Sequence, residues 1–267
     1  MSADQLWLAL AIGNSRLHWA IFVGATLLST WEIDHLPVDR GAEMIQQWAA
    51  GEWSEAIFPP SKVPSWVSSA SHKGAIPLYL ASVVPDRTRL IEAYPYSRAI
   101  SLEQLPLLGL YQTLGIDRAL AVLGAGTEMG WPVLVIDAGT ALTLTGADAN
   151  RQLVGGAILP GLRLQLQSLA ANTAALPVVQ TRPSLPARWA NTTVDAISSG
   201  IVYTLLAGIQ DFIADWCQQF PETAIVLTGG DRAILLSYLQ AHAPAVAAAI
   251  IPDPHLIFWG MRSIVNG

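Results

Sequence analysis

The sequence has little charge, no dense cluster of basic residues and almost no cysteine. Charged residues make up 13% of its 267 residues and hydrophobic residues 52%. This composition indicates a folded protein rather than a disordered one. Its many apolar residues are buried either against a partner chain or in a large core. The 14 basic and 20 acidic residues give a formal net charge of -6. Nucleic acid is therefore not expected as the main partner.

Cys217 is the single cysteine, so no disulfide can form within the chain, and a reducing compartment is favoured. Its helical surroundings predict a buried structural thiol. The first apolar run has no basic segment before it and stops at Gly13, unlike a signal peptide. No apolar stretch reaches the roughly 20 residues of a membrane span, and Ala243–Ile251, the longest candidate, is too short. We therefore expect no membrane partner.

Buried strands, glycine-containing turns and helices alternate along the chain, as is typical of an α/β fold. Strands are predicted at Leu6–Ile12, Leu17–Val23, Leu27–Ile33, Ile76–Val84, Val133–Ile136, Ala141–Thr145, Leu153–Leu159 and Ala224–Leu227. Helices are predicted at Glu43–Ala50, Arg87–Tyr94, Gly161–Ala170, Ala196–Trp216, Asp231–Ala241 and Leu256–Val265.

One short pattern occurs twice. Ala11–Ser15 aligns with Asp137–Ala141, and each segment follows one apolar strand and precedes another. This repeat predicts two similar α/β halves, residues 1–118 and 119–267, joined through the region 115–130.

The repeated turns have the chemistry of phosphate-binding loops. A glycine without Cβ lets backbone N–H groups approach a phosphate, and a carboxylate at the strand end can hold a cation. Asp137 occupies that position in the second half. One such turn is also common in ordinary hairpins. Two in corresponding places, together with the later Thr228–Gly230 turn, point more strongly to the β- and γ-phosphates of ATP.

Two further segments have both a functional and a structural interpretation. Gly229 and Gly230 open a helix, and their bare backbone could admit the base or ribose of a nucleotide, or form a plain turn. Asp117 begins another helix and could be a cap, or a catalytic base with Arg118 beside it to bind an anion.

Eight segments in order resemble the type III pantothenate kinases, also called Bvg accessory factor homologues. They are IGNSRLHWAIF (12–22), ASVVP (81–85), GLYQTLGIDRAL (109–120), VIDAGTALTL (135–144), LVGGAILPGL (153–162), NTAALP (172–177), TVDAISSG (193–200) and LTGG (227–230). Each is short, but the ordered set covers nearly the whole chain.

The resemblance implies a duplicated actin-like or sugar-kinase-like fold, which is ribonuclease H-like, with an interdomain cleft. It implies ATP-dependent phosphorylation of pantothenate to 4'-phosphopantothenate, the first step of coenzyme A biosynthesis. It also implies a cytoplasmic homodimer that uses ATP with a divalent cation, taken as Mg²⁺, and a monovalent cation, K⁺ or NH₄⁺.

The resemblance further assigns roles to residues. Asp117 matches the proton acceptor, Asp137 the ligand of the monovalent cation, and Thr140 an ATP contact. The first phosphate segment consists of Ala11, Ile12, Gly13, Asn14, Ser15, Arg16, Leu17 and His18. The pantothenate contacts are Tyr111, Gly115, Ile116, Asp117, Arg118 and Thr193. For Tyr111 the alternative is a packed aromatic, and for Thr193 a helix N-cap.

One departure concerns Ala11, where the family usually has an aspartate at the strand end. An active pantothenate kinase is the leading interpretation. A non-catalytic nucleotide-binding or regulatory member, and a kinase of another small hydroxy acid, remain alternatives at this point.

Overall fold

A computed structural model describes residues 5–35, 38–50, 52, 55, 57–63 and 76–267. The chain forms two compact units. Unit 1 contains the described residues up to Leu105, then Tyr111–Gly124 and Ile257–Gly267, and unit 2 contains Pro106–Leu110 and Ala125–Leu256. The division of the sequence after residue 118 stays a prediction.

Unit 1 contains a five-stranded sheet in the order β3-β2-β1-β4-β5. Its strands are β1 (Leu6–Ile12), β2 (Arg16–Val23), β3 (Thr26–Asp34), β4 (Leu78–Ser82) and β5 (Ser97–Ala99). The first three strands pair antiparallel, and β4 and β5 are added parallel to β1 and β4, respectively. Its helices are α1 (Val38–Ala49), α2 (Pro85–Glu92) and the start of α3 (Ile116–Met129).

Unit 2 repeats this arrangement with the order β10-β9-β6-β7-β8. The strands are β6 (Val133–Ala138), β7 (Ala141–Ala147), β8 (Leu153–Pro160), β9 (Ala224–Thr228) and β10 (Ile250–Pro252). The helices are α4 (Leu162–Asn172), α5 (Thr193–Gln219), α6 (Arg232–His242), α7 (Pro244–Ala249) and α8 (Leu256–Asn266), of which α8 belongs almost entirely to unit 1.

The two sheets confirm the duplication, because β6–β10 correspond one by one to β1–β5 in order and direction. The last pair of the first hairpin is Ile12 with Leu17, and that of the second is Ala138 with Leu142. Asp137 and Ala138 therefore lie inside β6, and the turn predicted to begin at Asp137 is shorter than expected. The ladder continues because the edge of β7 still offers partners to both residues.

The cores of the units differ in composition. Trp19 stacks on Trp31 with 6.1 Å between ring centroids, and Trp48 and Phe58 meet Trp19 edge-on. Trp7 and Trp19 are both fully buried in this unit. The unit 2 core is mostly aliphatic and is arranged around α5, with Cys217 partly buried against it.

Helix α5 has 27 residues and is long and apolar enough, by length and composition alone, to cross a membrane. Its apolar residues do not form one continuous run, since Asp195, Asp211 and Asp215 lie among them. Its buried face supplies Ile197, Val202, Leu206, Ile209 and Ile213 to the unit 2 core, a role that requires the same apolar composition.

Candidate active site

The first turn of α3 carries Asp117, the predicted proton acceptor. Its side chain is half-buried, and Oδ1 accepts a 2.8 Å hydrogen bond from the backbone N–H of Arg118. This bond satisfies one of the N–H groups that a helix start leaves open, so part of the capping interpretation holds. The same bond fixes the carboxylate in one orientation, which a catalytic base also requires.

Gly115 leaves space for that carboxylate. A Cβ at this position would lie 2.4 Å from Oδ1 of Asp117, far inside van der Waals contact. Any larger residue must displace the Asp117 side chain, so the position of the carboxylate depends on this glycine.

Arg118 and Tyr111 lie beside Asp117 in unit 1. Arg118 is buried, and its Nη1 donates a 2.9 Å hydrogen bond to the hydroxyl of Tyr111. Tyr111 is 44% exposed, so it is not the packed aromatic of the alternative interpretation. Ile116 is buried and anchors the start of the helix. The structure thus brings Tyr111 and Gly115–Arg118 together, as the sequence predicted.

Thr193 is the exposed first residue of α5 in unit 2. The helix cap is its neighbour Thr192, whose hydroxyl oxygen accepts a 3.2 Å hydrogen bond from the N–H of Asp195. The suggested N-cap role of Thr193 is therefore wrong, because the backbone turns into the helix one residue earlier. The Thr193 hydroxyl is not engaged in capping, and its substrate role stays a prediction.

The first phosphate segment runs from buried Ala11 and Ile12 through an exposed turn at Asn14 and Ser15, and β2 begins at the exposed Arg16. Gly13 closes the turn with a 3.0 Å bond from its N–H to the carbonyl of Arg16. Nε2 of His35 lies 2.9 Å from the Gly13 carbonyl oxygen and supports the turn from outside.

Two side chains of this segment, Arg16 and His18, contact the carboxylate of Glu32 on the neighbouring strand β3. Ala11 pairs with His18 across β1 and β2, and His18 pairs with Glu32 across β2 and β3. The Glu32 carboxylate contacts Nδ1 of His18 at 3.2 Å and an Nη of Arg16 at 2.8 Å. Burial lowers the pKa of His18, and the Glu32 charge only partly opposes that shift. Burial raises the pKa of Glu32, but the hydrogen bond from Arg16 and the nearby cationic groups bring it below its ordinary value.

The second phosphate segment is a tight backbone junction in unit 2. Gly229 has a φ of +89°, and a Cβ there would lie 2.4 Å from Oδ1 of Asp137 and 2.5 Å from the Ala138 carbonyl oxygen. A Cβ on Gly161 would lie 2.1 Å from the Gly139 carbonyl oxygen. The hairpin that contains the exposed Thr140 is therefore contacted closely by two other segments. Each can come this near only because the residue at the contact, Gly161 or Gly229, has no side chain.

Asp231 and Arg163 also belong to this junction and were missed by the sequence analysis. The N–H of Asp231 donates a 2.9 Å hydrogen bond to the carbonyl of Ala138. Nε of Arg163 donates a 2.6 Å hydrogen bond to Oδ1 of Asp231. The only signal in the sequence was the position of Asp231 directly after Gly230; nothing paired it with Arg163.

The end of β6 suits a cation with few protein ligands. Asp137 is half-buried there, and its Oδ1 lies close to the bare Cα of Gly229. Within the described residues, no group of three or more His, Cys, Asp or Glu side chains could hold a metal ion by itself. A Mg²⁺ ion that keeps its water and phosphate ligands fits this arrangement.

Comparisons with known proteins agree with this geometry. Residues 7–215 match the family described as type III pantothenate kinase. A type III pantothenate kinase of Nostoc sp. (strain PCC 7120) is 50% identical, with 99% of this chain and 96% of the relative covered. One from Synechocystis sp. (strain PCC 6803) is 44% identical, with 98% of this chain and 91% of the relative covered.

Solved structures show the fold. A Baf family protein of Campylobacter jejuni, described as a transcriptional activator, superimposes with a TM-score of 0.62 at 22% identity, covering 97% of both chains. The activator of 2-hydroxyisocaproyl-CoA dehydratase from Clostridium difficile, solved with ADPNP, gives 0.51 at 11% identity, covering 98% of this chain and 94% of its own. The predicted duplicated actin-like fold is confirmed. The chain belongs to the type III pantothenate kinase family.

Proposed function

We propose that this protein transfers the γ-phosphoryl group of ATP to the terminal hydroxyl of pantothenate and forms 4'-phosphopantothenate, the first step toward coenzyme A. One observation carries the proposal: the half-buried Asp117 carboxylate accepts a hydrogen bond from the Arg118 N–H and lies in the space that Gly115 leaves. The chain that carries this carboxylate belongs to the type III pantothenate kinase family. Phosphoryl transfer depends on the positioning of a hydroxyl and on charge stabilisation, and both are available from these residues.

Asp117 accepts the proton of the substrate hydroxyl as that oxygen attacks phosphorus. General base catalysis of this kind contributes about 10²- to 10⁴-fold in rate. The hydrogen bond from Arg118 holds Oδ1, and this keeps the carboxylate facing one direction. The carboxylate therefore does not have to reorient when the substrate is bound.

Pantothenate offers a carboxylate, an amide and hydroxyl groups. Arg118 provides a buried guanidinium and Tyr111 an exposed hydroxyl bonded to it, a combination suited to an anionic or carbonyl oxygen. The exposed Thr193 hydroxyl is a further contact proposed for pantothenate.

Each hairpin offers backbone N–H groups suited to phosphates of ATP, and Gly229 and Gly230 lie against its adenosine part. Residues of the second hairpin would hold K⁺ or NH₄⁺ at Asp137, while a Mg²⁺ ion would be bound mainly by phosphate oxygens and water. The cations supply neutralisation of the phosphate charge. The tight contact of Gly229 with Asp137 and Ala138 supports this assignment, since it places bare backbone beside a carboxylate.

We further propose a cytoplasmic homodimer that binds neither nucleic acid nor membranes. The low charged fraction and the exposed apolar side chains Ile158, Val178 and Trp189 support a covered surface. The acidic net charge opposes binding to nucleic acid. Sedimentation at assay concentration tests this proposal, and an active monomer would contradict it.

The decisive experiment measures ADP release with and without pantothenate, and with an analogue that lacks the terminal hydroxyl. We expect release that requires pantothenate and is absent with the analogue. Release that requires a different small hydroxy acid would change the substrate. Nucleotide binding without release under any condition would make the protein a non-catalytic member of its family.

A further inference from the structure

Arg163 and Asp231 form an ion pair with two unequal environments. The Asp231 side chain is 6% exposed, whereas the Arg163 side chain is 65% exposed. The 2.6 Å bond uses Nε of the guanidinium. One edge of Arg163 is therefore fixed by a buried carboxylate, while most of the side chain faces solvent.

The pair is attached to the second phosphate hairpin from both sides. Arg163 follows Gly161, whose N–H donates a 2.9 Å hydrogen bond to the Thr140 carbonyl. Asp231 donates its own N–H to the Ala138 carbonyl at 2.9 Å. The cation thus stands next to the hairpin that is proposed to bind ATP, and the two backbone bonds limit how far it can move.

The other arginines of unit 2 are already engaged or distant. Arg182 pairs with Asp195, Arg188 lies over the Tyr203 ring, and Arg232 donates to the Gly229 carbonyl. Arg151 lies in the turn between β7 and β8, at the opposite end of these strands from Thr140. Both lysines of the sequence lie outside unit 2. Arg163 combines a place beside this hairpin with a side chain that is 65% exposed.

We propose that Arg163 contacts a phosphate of the bound nucleotide and that Asp231 is the residue that positions it. The inference rests on the proposed function, since it requires ATP at the second hairpin. A guanidinium held through Nε still presents its Nη groups, the geometry that suits phosphate oxygens. Asp231 reduces the conformational freedom of a long side chain, so less entropy is lost when the phosphate binds.

The test compares nucleotides with and without phosphates. Ligand-observed NMR, which tolerates weak binding, gives the dissociation constants of a non-hydrolysable ATP analogue with Mg²⁺ and of adenosine. The main variant is the double substitution Arg163→Gln/Asp231→Asn, which removes both charges and leaves no unpaired buried carboxylate. The matched control is Arg89→Gln/Asp86→Asn, an exposed pair on α2 of unit 1.

We expect the double variant to bind the ATP analogue about tenfold or more weakly, since a charge-assisted hydrogen bond is lost, and to bind adenosine unchanged. The control should bind both ligands as the original protein does. Equal weakening of both ligands would show a merely structural role and overturn the proposal, as would unchanged affinity for the analogue.

Arg163→Lys is the second variant, for the case that the double variant does not fold. It keeps Asp231 paired but replaces the planar fork by a single ammonium group. We expect a smaller but selective loss of affinity for the analogue, and affinity equal to that of the original protein would overturn the proposal. If the original protein binds the analogue but does not phosphorylate pantothenate, the proposed function fails while these affinities still decide the role of Arg163.

Discussion

Arg118 donates a hydrogen bond from Nη1 to the hydroxyl oxygen of Tyr111 across 2.9 Å, so a buried cation is linked to an exposed phenol. The two residues lie seven positions apart, with the turn that contains Gly115 between them. The bond closes this segment over the start of α3. It also leaves the tyrosine hydroxyl polarised at the surface, where a substrate oxygen can meet it.

Tyr111→Phe removes this hydroxyl and leaves the Arg118 guanidinium without that acceptor. We expect the KM for pantothenate to rise about tenfold or more, because a hydrogen bond to a charged group contributes about 1.5–3 kcal/mol. The KM for ATP should not change. Steady-state kinetics measures both constants, with Tyr96→Phe, similarly exposed in the same unit, as the control. A KM for pantothenate equal in both variants would contradict the assigned contact.

Asp117→Asn keeps the size of the side chain and an oxygen that can accept the Arg118 N–H, but it cannot accept the substrate proton. We expect kcat to fall about 10²- to 10⁴-fold. ATP binding should be largely intact. Single-turnover kinetics combined with nucleotide titration separates the two effects. Near-normal turnover would show that Asp117 is only a helix cap.

Gly115→Ala places a Cβ 2.4 Å from the present position of Oδ1 of Asp117, so the carboxylate must move. We expect kcat to fall by at least tenfold, since misplacing a catalytic group by about 1 Å can cost about 10²-fold. Gly208→Ala is the matched control, because no atom lies within 4 Å of its added Cβ. In the interior of α5 that change should stabilise the fold by up to about 1 kcal/mol. Equal kcat values in the two variants would refute the dependence on Gly115.

A monovalent cation should be required, with Asp137 as its protein ligand. Replacing K⁺ by Na⁺ should lower activity, because the two ions differ in preferred coordination distance. Asp137→Asn should raise the K⁺ concentration needed for half-maximal rate. Titrating both salts at constant ionic strength measures this. Identical rates in K⁺ and Na⁺, or unchanged K⁺ dependence in the variant, would count against the site.

Ala11→Asp introduces the strand-end carboxylate that the family resemblance leads one to expect at this position. Ala11 is buried in the centre of the unit 1 sheet opposite His18, so the new charge costs several kcal/mol unless it is paired, by order of magnitude. We expect tighter binding of Mg²⁺ with ATP and a lower Tm of the protein without ligand. Magnesium titration at fixed ATP and thermal unfolding measure the two effects.

The outcome for Ala11→Asp has a second use. If the original protein shows no pantothenate-dependent turnover at any magnesium concentration and Ala11→Asp restores it, the natural chain is a non-catalytic relative. Activity in both proteins, with a lower magnesium requirement in the variant, would show that the remaining groups bind the cation adequately.

Local patterns predicted most of the fold. Leu6–Ile12 and Val133–Ala138 are continuous apolar runs that end in glycine turns, and both were placed within two residues. The strands Ser97–Ala99 and Ile250–Pro252 were missed, because three residues are too few for an alternating pattern to appear. Their pairing depends on a neighbouring strand and not on their own composition.

The candidate site was predictable only where its residues are neighbours in sequence. Asp117 and Arg118 lie in one motif, and the structure places them together with Tyr111. Arg163 and Asp231 are separated by 68 positions, and only the packing of α4 and α6 against one hairpin brings them into contact. Thr192 and Thr193 are chemically alike, so only the backbone geometry decides which of them caps the helix.

The stacked tryptophans Trp19 and Trp31 lie almost parallel, with an angle of 3° between the rings and 6.1 Å between their centroids, inside unit 1. Indole rings held rigidly in an asymmetric environment give near-ultraviolet circular dichroism, and Trp48 joins these two in one buried cluster, so unit 1 should contribute strongly to that signal. The unit 2 core, with Trp216 and Tyr238 among aliphatic side chains, should contribute far less. An optical melting curve would therefore report mainly on the packing of unit 1, whereas calorimetry reports on the whole molecule.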